Sequence, residues 1–293
     1  MNVRRVLAIA VAALALTACA DEPVPSGNGA TPSARPPGSA DDVVLRLSYE
    51  GGFVPAGFPL LDLPAFTLYG DGTIITPGAQ IEIYPGPALP AIVERRADEA
   101  AIRAIVDRAI AAGLGETDIE LTDTGDVGIA DASTSVFTLT VDGRTTTARV
   151  YALGFDGDAA ALPGLSEEQR RIRKDLSALA ADLSDLSWVQ ERGGALGDES
   201  FYVGDAARLL ISPAREDPEL PQDPITWPLD AKLRTLGDPV TWDDRTRCAV
   251  VAGDDWSVLR SAAERANQLT PWTDGATERF IAFRPLLPDE SGC

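Results

Sequence analysis

The stretch VFTLTVDGRTTTARVYAL, residues Val136–Leu153, carries the clearest fold signal in the chain. Its first half alternates apolar residues with threonine, which is the two-residue period of a strand with one packed face and one solvated face. Asp142-Gly143 then interrupts the alternation, and this dipeptide favours a two-residue hairpin turn. An earlier stretch, Ala65–Thr76, repeats the phrase F-T-L followed by Asp-Gly. Together the two stretches predict two β-hairpins of antiparallel sheets.

Two helices are expected beside these hairpins. The first follows Asp98, a residue type that commonly caps helices, and ends at Gly113. The second follows Ser166, with Gln169 three residues later, which is the sequence of a capping box. Both have apolar residues at the spacing of one buried helical face. These residues are Ile102, Ile105, Val106, Ala109 and Ile110 in the first helix, and Ile172, Leu176, Leu179, Leu183 and Leu186 in the second.

The C-terminal third predicts a strand, a helix and a second strand. The strands are Cys248–Ala252 and Arg279–Pro285, and the helix is Asp255–Gln268, capped by the Asp254-Asp255 pair. Shorter strands are expected at Val43–Tyr49 and Ile81–Tyr84. The fold class predicted from this order is α+β, with antiparallel sheets, helices packed on one face, and two similar-sized parts. The parts are residues 41–190 and residues 191–293, divided near a change of composition at residues 193–197.

The N-terminus has the layout of an export signal. Arg4 and Arg5 precede an apolar run, Val6–Leu16, which is too short to span a bilayer. The next residues, Leu16-Thr17-Ala18-Cys19, resemble the lipobox of bacterial lipoproteins. The resemblance implies that residues 1–18 are a signal peptide and that Cys19 becomes the mature N-terminus, carrying lipid such as palmitate. We therefore expect a lipid-anchored protein on the extracytoplasmic face of the cell membrane.

Residues 19–40 are predicted to be the lipidated cysteine and a disordered tether. The stretch after Cys19 has five prolines and three glycines and too few large apolar residues for a core. As a flexible coil it would reach on the order of 25 Å.

Two cysteines remain after Cys19. Cys248 and Cys293 are an even pair in an oxidising compartment, so a disulfide between them is expected, worth about 4 kcal/mol on the chain-entropy model. Cys248 begins one predicted strand and Cys293 follows the other. The disulfide therefore favours antiparallel neighbouring strands with a helix crossing between them, whereas parallel strands would require the tail to fold back.

The order of elements in residues 43–155 resembles a family of uncharacterised bacterial exported α+β domains. The pattern is a Gly-rich first strand, an F-T-L-Y-G-D-G-T turn, a helix, an acidic loop and a hairpin around V-D-G. The resemblance supports the fold and implies no known activity. The matching stretches are Leu47–Phe53, Phe66–Thr73, Asp98–Gly113, Asp118–Asp131 and Val136–Leu153.

Composition narrows the possible partners and chemistries. The chain has 45 acidic and 25 basic residues, for a net charge of −20, which disfavours nucleic acid and anionic lipid headgroups as partners. The sequence has no histidine, which excludes Ser-His-Asp and Cys-His catalysis and the H-E-x-x-H zinc proteases. It also lacks the P-loop and Rossmann glycine motifs, and no cofactor is expected. Paired carboxylates could still act as they do in glycosidases.

A few residues are candidates for binding. Asp123, Asp126 and Asp131 lie in the most acidic stretch and are weak calcium candidates, although a solvated loop is the favoured interpretation and no D-x-D-x-D-G loop is present. Trp227 and Trp242 are the tryptophans expected at the surface, where they would contact a ligand or partner. The basic run of Arg170, Arg171, Arg173 and Lys174 is expected to be a solvated helical face, or else a site for an acidic partner or the membrane surface.

These features lead to three functional hypotheses. The favoured one is a membrane-anchored lipoprotein that is not an enzyme and binds an envelope protein or a cell-wall component. The second is a carboxylate-dependent glycan hydrolase, which requires two carboxyl groups within about 5–10 Å in a cleft. The third is a structural envelope lipoprotein.

Overall fold

The computed structural model describes residues 38–154, 162–214 and 218–293. The predicted signal peptide, the lipobox-like stretch with the expected lipidation site Cys19, and most of the predicted tether lie outside the described residues. Within the described part, no helix has the length and apolarity needed to cross a membrane. The described residues all belong to one compact unit.

The described residues form two sheets with short helices between and beside their strands. The strands are β1 (Val43–Gly51), β2 (Phe66–Tyr69), β3 (Thr73–Pro77), β4 (Ile92–Arg96), β5 (Ile119–Leu121), β6 (Ser133–Val141), β7 (Arg144–Tyr151), β8 (Ser200–Phe201), β9 (Ala206–Pro213), β10 (Ile225–Thr226), β11 (Asp238–Val240), β12 (Asp243–Ala252), β13 (Trp272–Thr273) and β14 (Glu278–Pro285). The helices are α1 (Phe58–Leu61), α2 (Glu99–Ala111), α3 (Glu167–Ser184), α4 (Trp188–Glu191) and α5 (Gly253–Ala263).

The first sheet has eight strands in the order β5-β7-β6-β1-β2-β3-β4-β8, and the second has six in the order β10-β13-β14-β9-β12-β11. Neighbouring strands are antiparallel except β5 with β7 and β10 with β13, so both sheets are mixed. The α+β prediction is confirmed. The edge strands β5, β8, β10 and β11 have two or three residues each, which limits the backbone they offer for unwanted pairing.

The two Asp-Gly hairpins are both present but differ at the turn. Asp142 and Gly143 have φ values of 51° and 72°, the left-handed pair that a two-residue turn between twisted strands requires. In the other hairpin Gly72 has φ 89°, and Asp71 Oδ1 accepts the Thr73 amide at 2.9 Å. A Cβ atom on Gly72 would lie 2.4 Å from the Ala97 carbonyl oxygen. Glycine is therefore required at residue 72 by packing as well as by backbone conformation.

The predicted helices α2 and α3 are confirmed and pack on one face of the first sheet, together with α4. The Asp98 carboxylate caps α2 by accepting the Ala101 amide at 2.7 Å. Ser166 and Gln169 form the capping box of α3. The buried side chains that join these helices to the sheet include Ile105, Val106, Phe137, Leu139, Leu176, Leu179 and Leu183.

The second sheet corrects the predicted strand arrangement. β12 and β14 each pair antiparallel with β9, which lies between them, so they run parallel to each other. The predicted antiparallel neighbours are therefore wrong. Because the two strands are parallel, the C-terminal tail folds back, and Cys293 forms the expected disulfide with Cys248. Helix α5 covers one face of this sheet. The carbonyl of Leu60 in the short α1 accepts from Arg208 of β9, and the carbonyl of Asp62, directly after α1, accepts from Arg284 of β14.

Two local predictions were also wrong. Helix α5 begins at Gly253 with no side-chain cap, because the turn from β12 is fixed by a 2.9 Å bond from the Gly253 amide to the Asp205 carbonyl. Residues 81–84 form no strand and pair with none of the described strands. Their apolar side chains are exposed, at 65% for Ile81, 59% for Ile83 and 68% for Tyr84.

The last eight residues, 286–293, contact both sheets, and we call this segment the C-terminal clasp. Leu287 packs on Tyr69, Ile75 and Ile92, on the face of the first sheet opposite α2. Polar and covalent bonds also hold the clasp. They join Asp289 to Arg46 at 2.7 Å and to the Tyr69 hydroxyl at 2.6 Å, Glu290 to Arg284 at 2.8 Å, the Gly292 carbonyl to Arg208 at 3.0 Å, and Cys293 to Cys248.

Candidate functional site

A groove of about 270 Å³ lies where the β8 edge of the first sheet meets α5. Its walls come from four segments that are distant in sequence: the 79–92 connection, residues 201–203, one face of α5 and the end of β14. Ile81, Leu89, Phe201, Val203 and Trp256 supply much of the apolar surface. We call this cavity the apolar half of the site.

Backbone hydrogen bonds hold the 79–92 connection in place. The Ala88 amide donates to the Ala266 carbonyl at 3.1 Å, and the Gln268 amide donates to the Gly86 carbonyl at 2.9 Å. An antiparallel bridge joins Pro87 to Asn267 between these two bonds. This wall of the groove is therefore fixed to the segment that follows α5.

The second wall is fixed at both of its ends. The Tyr202 amide donates to the Ile92 carbonyl at 3.0 Å, which continues the pairing of β8 with β4. The Trp256 indole N–H donates to the Val203 carbonyl at 3.1 Å. Phe201 and Val203 remain 76% and 45% exposed. The surface is thus exposed and apolar but built on anchored backbone, a combination that marks interaction sites.

The charged residues of the apolar half neutralise each other. Arg260 and Glu264 are one turn apart on α5 and form an ion pair at 2.8 Å. This wall therefore adds little net charge to the groove.

A second cavity, of about 400 Å³, adjoins the first and shares Tyr202 and Val203 with it. We call it the acidic half, because its described lining includes four carboxylates and neither lysine nor arginine. Glu290 is paired with Arg284. The other three carboxylates take part in none of the ion pairs of the described residues, and they are Asp41, Glu94 and Asp205.

Tyr202 lines both halves of the groove, and nearby carboxylates affect the pKa of its hydroxyl. Its hydroxyl donates to the Leu286 carbonyl at 2.6 Å, which fixes the ring between the cavities. Burial raises the pKa of Tyr202 well above its usual value, and the carboxylates of Asp205 and Glu94 raise it further. The acidic half is therefore a region of negative potential.

Two other cavities are weaker candidates. One of about 310 Å³ has Arg103, Arg108 and Trp188 in its walls, but Glu99 and Asp182 already pair with its first two arginines. Another of about 470 Å³ is formed mainly by the prolines around residues 213–222 against β14. Its walls lack the exposed large apolar side chains that surround the apolar half.

The structure corrects one of the two tryptophan predictions. Trp227 is 5% exposed, so the predicted surface position is wrong. Its indole N–H donates to the Ala231 carbonyl at 2.7 Å, and its ring meets Trp272 edge-on with centroids 6.1 Å apart. Trp242 is 44% exposed, as predicted. It lies beside Gly57 and contributes to neither half of the groove.

The calcium candidates are not assembled into a metal site. No group of three or more carboxylate, cysteine or histidine residues in the described chain could hold a metal ion. One oxygen of Asp123 accepts the Gly125 amide at 2.8 Å, and the other accepts Gln169 Nε2 at 3.3 Å. Asp126 and Asp131 bring no third carboxylate to this position. Their loop is organised by hydrogen bonds instead.

The basic run also departs from expectation at one residue. Arg173 is fully buried, although a solvated face was predicted. Its guanidinium donates to the Asp123 carbonyl at 2.6 Å and to the Tyr151 carbonyl at 2.9 Å. The residue therefore ties the acidic loop and the end of β7 to α3, and it is not available to a partner.

The sequence patterns did not predict the groove. The I-E-I-Y alternation of residues 81–84 has the two-residue period of a strand and predicts one, but the structure has no strand there. The prolines at residues 77, 85 and 87 were the available signal, because proline lacks the amide that a paired strand donates.

Comparisons with known proteins assign no family to this arrangement. No family model matches the chain. No curated protein and no solved structure matches it either.

Proposed function

We propose that the protein is an extracytoplasmic lipoprotein, anchored in the cell membrane through lipid on Cys19, that binds another envelope protein through the groove. It acts as a binding module rather than as an enzyme. The N-terminal lipobox supports the anchor. The observation that carries the binding role is the exposed apolar surface at Ile81, Phe201 and Val203. The neighbouring backbone is anchored at Gly86, Ala88 and Tyr202 by backbone hydrogen bonds, and at Val203 by the Trp256 indole.

The energetics of this surface favour a protein partner. Burying one large apolar side chain contributes roughly 1.5–3 kcal/mol. Covering Phe201, Val203 and Ile81 together would therefore provide a substantial part of a specific affinity. The walls are already positioned, so a partner would not have to order them.

The edge of β8 supports an extended segment as the bound element. The Tyr202 amide points toward β4, and successive residues of a strand direct their backbone groups to opposite edges. The backbone N–H and C=O of Phe201 therefore face the open edge, where an added strand could pair with them. Affinity would come from the apolar side chains and register from these backbone bonds.

The anchor and the groove are close in sequence. The predicted tether ends at residue 40, and Asp41 lines the acidic half. With a tether that reaches on the order of 25 Å, the groove would face partners near the membrane surface.

The test compares two exposed phenylalanines. Tagged full-length protein is purified from membranes as the wild type, as Phe201→Ser and as the matched control Phe53→Ser, since Phe53 is 91% exposed and lies outside the groove. A stoichiometric partner recovered with the wild type and Phe53→Ser, and lost with Phe201→Ser, supports the proposal. Equal recovery with all three proteins contradicts it. Mass spectrometry of the mature N-terminus tests the anchor separately, and an unmodified residue 19 would contradict it.

A second candidate function rests on the same acidic half. Four carboxylates line one cavity. A carboxylate-dependent glycan hydrolase would use two of them, about 5–10 Å apart, as acid and as base or nucleophile. Release of reducing sugar from cell-wall glycan by the wild type, abolished in Glu94→Gln, would favour hydrolysis over binding.

A further inference from the structure

We infer that the segment bound in the groove is cationic: apolar side chains occupy the apolar half, and lysine or arginine side chains occupy the acidic half. The inference rests on the proposed function and specifies the chemistry of the partner. The supporting observation is that the apolar half and the acidic half adjoin, because both are lined by Tyr202 and Val203.

Continuity of the two cavities sets the order of residues in the partner. An extended chain rises about 3.3 Å per residue and presents alternate side chains to the same surface. A segment that lies along β8 and crosses Tyr202 leaves one cavity and enters the other within a few residues. It must therefore change from apolar to basic over that distance.

The carboxylates of the acidic half are available for such a segment. Asp41, Glu94 and Asp205 take part in none of the ion pairs found in the described chain. Asp41 and Asp205 are exposed, and Glu94 is partly buried. Because the described lining of this half holds no lysine or arginine, a bound cation would be attracted without first displacing an internal partner.

The net negative charge of the whole chain also favours a cationic partner. A net charge of −20 attracts cationic segments over a distance of about one Debye length, ~8 Å at physiological salt. Acidic segments and anionic lipid headgroups are repelled by the same field. The apolar half, whose Arg260–Glu264 pair is internally neutral, then selects for large apolar side chains beside the charge.

Selection from a random library of displayed 12-residue peptides on the purified full-length protein tests this chemistry. We expect enriched peptides with two or more large apolar residues followed or preceded by two or more lysines or arginines. For a selected peptide, fluorescence anisotropy should show affinity at least tenfold weaker with Phe201→Ser. The Glu94→Gln/Asp205→Asn double variant should weaken binding at least fivefold at low salt and flatten its salt dependence.

Matched controls separate this inference from the proposed function. Phe53→Ser and Glu116→Gln change an exposed phenylalanine and an exposed carboxylate outside the groove, and they should leave affinity unchanged. Apolar peptides without basic residues, weakened by Phe201→Ser but not by the double carboxylate variant, would overturn the cationic chemistry and leave the docking groove standing. Failure to select any peptide that depends on Phe201 would overturn both.

Discussion

The first sheet has two apolar surfaces near its β8 edge, and only one of them is covered in the described structure. The C-terminal clasp places Leu287 over Tyr69, Ile75 and Ile92 and buries it to 3% exposure. The groove leaves Phe201 at 76% and Ile81 at 65% exposure. Ile92 and Tyr202 contribute to both surfaces, so the two surfaces adjoin at this edge of the sheet.

The difference lies in the polar groups around each surface. The clasp is closed by Arg46–Asp289, Arg284–Glu290 and a disulfide, which together fix the tail over its apolar contact. In the acidic half the carboxylates of Asp41, Glu94 and Asp205 have no such pairing among the described residues. Residues 286–288 and Glu290 of the clasp also line the acidic half. Changes to the pairs that close the clasp should therefore affect folding, and changes to Phe201, Glu94 or Asp205 should affect binding.

Glu290→Ala should be the most destabilising of the four changes. It leaves the Arg284 guanidinium, whose side chain is 2% exposed, without its carboxylate. Removing one partner of a buried ion pair typically costs about 3–5 kcal/mol of the free energy of unfolding. Urea-induced unfolding measures the loss. The control, Glu199→Ala, breaks the more exposed pair with Arg95 and should cost about 1 kcal/mol or less. Equal effects of the two substitutions would contradict the account.

Loss of the disulfide should have the next largest effect. The Cys248→Ala/Cys293→Ala double variant should lose about 2–4 kcal/mol of unfolding free energy, because its unfolded chain is no longer constrained. Reductant should destabilise the wild type by a similar amount and leave the variant unchanged. A wild type insensitive to reductant would show that the tail is held without the bond.

Asp289→Asn should have a smaller effect that depends on pH. Burial alone would raise the pKa of Asp289, but hydrogen bonds from Arg46 and Tyr69 outweigh it and hold the pKa below its ordinary value. A depressed pKa stabilises the folded state above the unfolded value of about 4, and this contribution is lost as the pH falls through the folded value. The substitution should cost about 1.5–3 kcal/mol at pH 7.

The pH series supplies the control for that prediction. Unfolding free energies of the wild type and Asp289→Asn, measured from pH 7 down to pH 3, should begin to converge as the pH falls below about 4. A constant difference across the series would mean that the charge of Asp289 contributes nothing to the clasp.

Phe201→Ser should have the smallest effect on stability. Its side chain is largely exposed, and surface substitutions of this kind usually change the free energy of unfolding by less than about 0.5 kcal/mol. The same variant should lose the partner. A destabilisation similar to that of Glu290→Ala would show that Phe201 serves the fold instead.

Local sequence patterns predicted much of the fold. The hairpin at Asp142-Gly143 and the caps at Asp98 and Ser166 follow from residues a few positions apart, and all three are confirmed. The disulfide was expected from the count of cysteines, but the insertion of β9 between β12 and β14 depends on long-range pairing that local patterns do not encode.

The groove was harder to predict because its walls meet only in the folded chain. Ile81 and Phe201 are 120 positions apart, and neither carries a motif. Trp227 was expected at the surface, but it is buried and its ring packs against Trp272. Burial of a large aromatic residue is decided by the sheet beneath it, not by the polarity of its neighbours in sequence.

The most direct test of the central claim is photo-crosslinking in intact cells. A photoreactive phenylalanine analogue is placed at position 201 in one strain and at the exposed control position 53 in another. The account predicts one discrete adduct from position 201, joined to a partner segment in which large apolar residues adjoin lysine or arginine, and no matching adduct from position 53. No adduct from position 201, or the same adduct from both positions, would contradict it.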